Sequence, residues 1–175
     1  MVESRGSVVA RHLQHEIDID APASRVWEIL TDTDAYAGWN PFVPRFEGEL
    51  REGSRVKVWL KLYRWGTVPF RPVITSVVPN KELRWLAKSG PTGVFDVQRR
   101  FVIHEREGGG VRLEQGEVCT GFLTPLMYFL DLDRRIVRGY RRMNTSLKAL
   151  AEAGTSQERA RDGAASESLR PGRME

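Results

Sequence analysis

The chain has 175 residues, of which 41% are hydrophobic and 29% charged, a balance that fits one compact domain with room for a tail. No run approaches the ~20 apolar residues needed to span a bilayer, and wholesale disorder is excluded by the apolar fraction and a net charge of only +4. A single cysteine, Cys119, cannot form an internal disulfide or a cysteine metal cluster.

The first 20 residues lack the apolar core of a secretory signal, so a cytoplasmic location is expected. The basic pI of about 9.5 comes from two segments. Residues 45–72 hold seven basic and three acidic side chains, and residues 125–150 hold six and two. Both segments also carry regular apolar patterns. The charge therefore reads as a solvated outer face, with phosphate contact as the alternative, and no nucleic-acid partner is expected.

In chain order, Leu13, His15, Ile17 and Ile19 alternate with polar residues, which predicts a half-buried strand. Ala21-Pro22 ends it, and Pro22 suits the first turn of a helix over ASRVWEILTD that buries Val26, Ile29 and Leu30. A brief second helix follows at AYAGW. From Pro41 to Gly121 the pattern is of repeated strands: 42–50, 55–63, a Pro69- and Pro72-bearing strand ending near Val78, 83–87, 95–107 and 111–122. The last two form a hairpin across Gly108-Gly109-Gly110. After Thr124-Pro125, the apolar series Phe129, Leu132, Ile136, Tyr140, Met143, Leu147 and Leu150 predicts one long amphipathic helix stopped at Gly154.

The expected architecture is α+β. A curved antiparallel seven-stranded sheet wraps a long C-terminal helix, with two short helices after the first strand and an apolar space between sheet and helix. Residues 13–153 form the domain, residues 1–12 a flexible start, and residues 154–175 a disordered tail poor in large apolar side chains.

Three stretches carry a resemblance: IDIDAPASRVWEILTDTDAYAGWNPFVP (17–44), ELRW (82–85) and EVCTGFLTP (117–125) leading into the final helix. Together they resemble the START/SRPBCC superfamily, the helix-grip fold shared with the birch-pollen allergen and polyketide cyclases. Over residues 13–153 the chain is most similar to small bacterial polyketide cyclase/dehydrase-like members. The resemblance implies the helix grip and a ligand cavity. The superfamily spans lipid carriers, hormone receptors, aromatase/cyclases and coenzyme Q-binding proteins, so fold alone does not select a function.

Metal and nucleotide chemistry have no handle. His12, His15 and His104 lack metal-ligand spacing, and no GxSxG, P-loop or GxGxxG occurs. His15 reads as a hydrogen-bonded core histidine and Cys119 as a small buried hydrophobe. The informative polar pair is Glu117 with Arg99. A hairpin closed across the three glycines pairs residues whose numbers sum to about 218, which opposes Phe101 to Glu117 and makes Arg99 a diagonal neighbour on the same inward face. Two opposite charges on an inward face demand pairing. Their role is a structural ion pair at the cavity rim, a polar anchor for a ligand, or general acid/base work; Tyr128 is the third catalytic candidate.

The aromatic residues Trp39, Phe42, Trp85, Phe95, Phe101, Phe122 and Tyr128 are expected toward the sheet–helix space, with Leu113, Gln115, Arg99 and Glu117 beside them. Trp59 and Trp65 fall outside or in a turn, where they offer a homodimer or peripheral membrane contact. The expected function is binding of a hydrophobic small molecule (a lipid, polyketide or other aromatic or isoprenoid-like ligand) with no cofactor and no metal. The alternatives are a polyketide aromatase/cyclase-type enzyme and a non-catalytic module contacting a partner or membrane.

Overall fold

The computed structural model describes residues 10–91 and 93–168. The alternation noted above builds eight strands: β1 (Ala10–Ile19), β2 (Arg45–Glu47), β3 (Lys57–Tyr63), β4 (Gly66–Phe70), β5 (Val73–Val78), β6 (Glu82–Lys88), β7 (Asp96–Glu105) and β8 (Val111–Thr120). The helices are α1 (Ala23–Thr31), α2 (Tyr36–Trp39), α3 (Thr124–Phe129) and α4 (Leu132–Ser168). The class is α+β, with antiparallel sheet against a long C-terminal helix, as expected.

The strands divide into a five-stranded sheet, ordered β1-β8-β7-β6-β5, and a three-stranded sheet, ordered β2-β3-β4. The expected strand carrying Pro69 and Pro72 is two strands, because Arg71-Pro72 interrupts it. Both halves sit at sheet edges, where a proline's missing N–H costs no ladder bond. The sheets stay joined. Ser54 and Pro72 carbonyls accept from Ile74 and Val56 N–H groups, and Gly53 N–H donates to Ile74. The expected strand over 42–50 shrinks to β2, since Asn40 Oδ1 accepts from the Phe42 and Val43 N–H groups at 3.1 and 2.8 Å and turns the chain there.

The C-terminal helix differs from expectation in two places. Asp131 adopts φ 52°, breaking the run into α3 and α4, and Phe129 is left 78% exposed. At the other end the helix passes Gly154 without stopping. Ala151 and Thr155 extend the buried stripe of Ile136, Tyr140, Met143 and Leu147, while Leu150 faces outward. Gly154 instead lies beside the Arg25 side chain. α4 is tied to β1 by Lys148 Nζ, which donates to the Asp18 carbonyl at 2.7 Å, and by Glu152, which accepts from the Asp20 N–H at 2.8 Å. β1 begins at Ala10, three residues before the expected start, and residues 1–9 lie outside those described.

One glycine decides how the helix meets the Trp39-Asn40-Pro41-Phe42 segment. A Cβ on Gly139 would lie 2.1 Å from Phe42 Cδ2, so only glycine lets the Phe42 ring lie against α4. Held there, Phe42 meets Tyr140 edge to face at 5.6 Å between centroids.

Candidate functional site

The β7–β8 hairpin sets the site. Its loop centres on Gly108 rather than Gly109, so opposed residues sum to 216: Phe101 faces Gln115, Ile103 faces Leu113, and Arg99 faces Glu117 directly. The expected register was displaced by two. An even displacement keeps every side chain on its face, so the inward set is as expected and the diagonal pair becomes a direct one. Arg99 Nε and Nη2 donate to Glu117 Oε2 at 3.1 and 2.7 Å. The residues are only 2% and 3% exposed.

The pair faces a small cavity of about 70 Å³ between the sheets and the α3–α4 corner. Apart from Arg99 and Glu117 its walls are apolar: Leu60, Phe70, Trp85, Phe95, Met127 and Ile136 stand among them. A guanidinium in such surroundings is held by more than one partner. Arg99 Cζ lies 5.2, 5.3 and 5.9 Å from the ring centroids of Phe42, Tyr140 and Trp85. Burial works against its charge, but the paired Glu117 carboxylate outweighs burial and holds its pKa above the ordinary arginine value.

The neighbouring protic groups are neutral. Burial pushes the Cys119 thiol well up, with Glu117 adding to the effect; its Sγ donates to Glu117 Oε1 at 3.6 Å. A thiol so held is no nucleophile. Burial likewise pushes the Tyr140 phenol far above its usual value, opposed by Arg99 and reinforced by Glu117. Its hydroxyl feels both charges yet has no hydrogen-bond partner among the described residues. Both carboxylate oxygens of Glu117 are thus engaged, one by a guanidinium and one by a thiol.

The expected site residues separate into four groups. Trp85, Phe95, Arg99 and Glu117 line the cavity. Phe42 forms part of a neighbouring cleft. Phe101, Leu113 and Gln115 are fully buried in the core outside the cavity wall, and Trp39 is half-buried against Tyr36. Phe122 and Tyr128 do not point inward: they are 70% and 71% exposed, Phe122 in the turn that precedes α3 and Tyr128 on α3, which turns its Met127 side to the cavity. Tyr128 therefore does not line the cavity that the Arg99–Glu117 pair faces. Trp65 is exposed in the β3–β4 turn, stacked on Tyr63, and Trp59 lies under Arg45 and Lys57.

The sequence reading assigned Tyr140 to the core without a role. Its signal was a hydroxyl-bearing residue on the buried stripe of an otherwise apolar helix. His15 is half-buried, and Asn144 Nδ2 lies 3.0 Å from its Nδ1, in line with a hydrogen-bonded core histidine. No group of three potential metal ligands occurs among the described residues, and no described helix is long and apolar enough to cross a membrane.

The chain belongs to the family described as polyketide cyclase/dehydrase and lipid transport, whose sequence model matches residues 10–152. No curated protein matches it by sequence. Among solved structures, a START superfamily protein from Mycobacterium smegmatis is 15% identical with a TM-score of 0.57, covering 83% of this chain and 97% of that one. A protein of unknown function from Staphylococcus aureus is 16% identical with a TM-score of 0.63, over 86% of this chain and 98% of the other. A di-domain ARO/CYC protein from the steffimycin biosynthetic pathway is 14% identical with a TM-score of 0.67, over 85% of this chain and 53% of that one. At these identities the likeness is one of fold.

Proposed function

We propose that the protein binds a hydrophobic small molecule between sheet and C-terminal helix, with the Arg99–Glu117 pair as its polar anchor. The observation that carries this reading is the cavity itself: apolar walls interrupted by one buried, mutually satisfied ion pair. A structural pair alone has no need of an adjoining void, whereas a ligand site needs apolar walls and a few placed polar groups. At about 70 Å³ the cavity is well below the ~300 Å³ at which ligand pockets begin. Binding therefore requires the wall to move, and α3 is the element to move. It is six residues long, is joined to α4 through the left-handed Asp131, and contributes Met127 to the cavity.

A second reading is an aromatase/cyclase-type enzyme acting on a poly-β-ketone chain. A carboxylate and a guanidinium on an apolar wall supply the base and the enolate-stabilising cation that aldol chemistry uses, and one fold neighbour is titled an ARO/CYC protein. The double engagement of Glu117 favours binding over proton abstraction. Neither Cys119 nor Tyr140 supplies another ionisable group near neutral pH.

The test fills the void. Ala87 lies on the cavity wall, so Ala87→Leu occupies the space without disturbing the ion pair. Titrated with the uncharged dye Nile red, the natural protein should bind saturably. The variant should bind about tenfold more weakly with a melting temperature within about 4 °C. Equal binding by both proteins would place the dye elsewhere, on the exposed side of α3, and would overturn the reading.

A further inference from the structure

Beside the cavity lies a second depression, of about 470 Å³, between the β3–β4 hairpin and the first turns of α4. Its walls bring together the two basic segments noted in the sequence: Lys61 and Arg64 from the hairpin, Arg135, Arg138 and Arg142 from the helix. No carboxylate lines it, and none of these five cations is ion-paired with a carboxylate among the described residues. Among the described residues, most arginines elsewhere are paired with a carboxylate, Arg55, Arg71 and Arg141 being exceptions. On the outer face of the five-stranded sheet Arg100 reaches Glu114 at 2.5 Å and Arg112 reaches Asp18 at 2.7 Å, and just past the ends of β7 and β1 Arg106 reaches Asp20 at 3.1 Å.

The cleft is also built rather than merely crowded. Arg135 is half-buried and lies 5.1 Å over the Tyr63 ring, with its Nε buried and lacking a hydrogen-bond partner. The floor is apolar, made by Phe42, by Gly139 on which that ring rests, and by Leu62. Leu62 lines the cavity as well. The cleft and the cavity thus share a wall, and Phe42 lies between the cleft and Arg99.

We infer that the cleft is an anion subsite of the same ligand: it takes the phosphate head of an amphiphile whose apolar tail enters the cavity past Leu62. Five unpaired cations favour a multiply charged, multi-oxygen acceptor, which a phosphate is and a single carboxylate is not. The shared apolar wall favours a head joined to a tail over a free ion. The inference rests on the cavity reading above and narrows it to phosphorylated amphiphiles.

The experiment displaces Nile red from the cavity with octyl phosphate, with octanol, and with inorganic phosphate, each below any micelle threshold. It is run on the natural protein and on the Arg138→Gln/Arg142→Gln variant, whose altered side chains are both exposed. Octyl phosphate should compete at least about tenfold better than octanol, an advantage that shrinks as salt rises and disappears in the variant. Octanol should compete equally with both proteins. Equal competition by octyl phosphate and octanol overturns the anion subsite while leaving the cavity reading intact. Inorganic phosphate that, added at the same concentration, abolishes the advantage of octyl phosphate over octanol makes the cleft a site for free anions and overturns the head-and-tail inference. Failure of the natural protein to bind the dye or either alkyl compound overturns the cavity reading, and the inference with it.

Discussion

Arg99 and the arginines of the cleft sit within one side chain of each other, on opposite sides of Phe42, in contrasting states. Arg99 is sealed among rings and donates twice to a single carboxylate oxygen. Arg138 and Arg142 are exposed and have no carboxylate partner among the described residues. Burying a charge demands a partner inside the protein, while an exposed charge is satisfied by water until an anion displaces it. Residue type therefore says little about an arginine's task. Its partner list says more.

The sharpest way to break this contrast is to remove the partner of the buried cation. Glu117→Leu leaves Arg99 charged and unpaired, which should destabilise the fold by about 3–5 kcal/mol in chemical denaturation. Adding Arg99→Met should recover most of that loss, since a matched apolar pair replaces a matched ionic one. An additive double variant would mean that the two side chains are independent. At the boundary between the two regions, Gly139→Ala should cost about 1–3 kcal/mol by driving a methyl into Phe42. Unchanged stability would mean that the ring moves freely and does not separate cleft from cavity.

A smaller effect concerns His15, where burial first, then Arg141, holds the imidazole below its usual pKa, against a weaker upward pull from Glu16. The fold thus favours the neutral ring. Its contribution is complete above about pH 6.5, the unfolded value, and is lost as pH falls toward the lowered folded value. The drop in melting temperature between about pH 6.5 and 5 should be shallower in His15→Gln; identical slopes would remove His15 from the account. Smallest of all, Arg138 and Arg142 repel each other one helical turn apart at a cost of about 0.2–0.5 kcal/mol. Arg138→Gln should raise stability by that much. A loss beyond ~0.5 kcal/mol would show that Arg138 has a partner in the folded protein.

How far the sequence was legible follows the range of the interactions involved. Alternation along β7 and β8 identified the inward faces correctly, because side-chain direction is a local property. Which residue opposed which depended on where the Gly108–Gly110 loop centres, and a loop of three glycines leaves that open. The break at Asp131 was hidden because it is a left-handed aspartate inside an otherwise regular apolar series. Gly154 misled in the other direction. Thr155 beyond it continues the buried stripe, and the helix continues with it. The cleft was least legible: each basic segment reads alone as a solvated face, and only the packing of α4 against β3 brings the two together. The expected tail lies partly in this helix and partly outside the described residues, since 169–175 are not described.

The central claim is that the cavity orients a hydrophobic ligand through the Arg99–Glu117 pair. The most direct test compares 1-naphthol with naphthalene, which share a ring system and differ by one hydroxyl, in calorimetric titrations of the natural protein and of the refolded Arg99→Met/Glu117→Leu variant. The account predicts that the natural protein prefers 1-naphthol by about tenfold, the value of roughly one hydrogen bond to a charged group, and that the variant binds the two alike. Equal affinities in the natural protein, or the same preference in the variant, would contradict it.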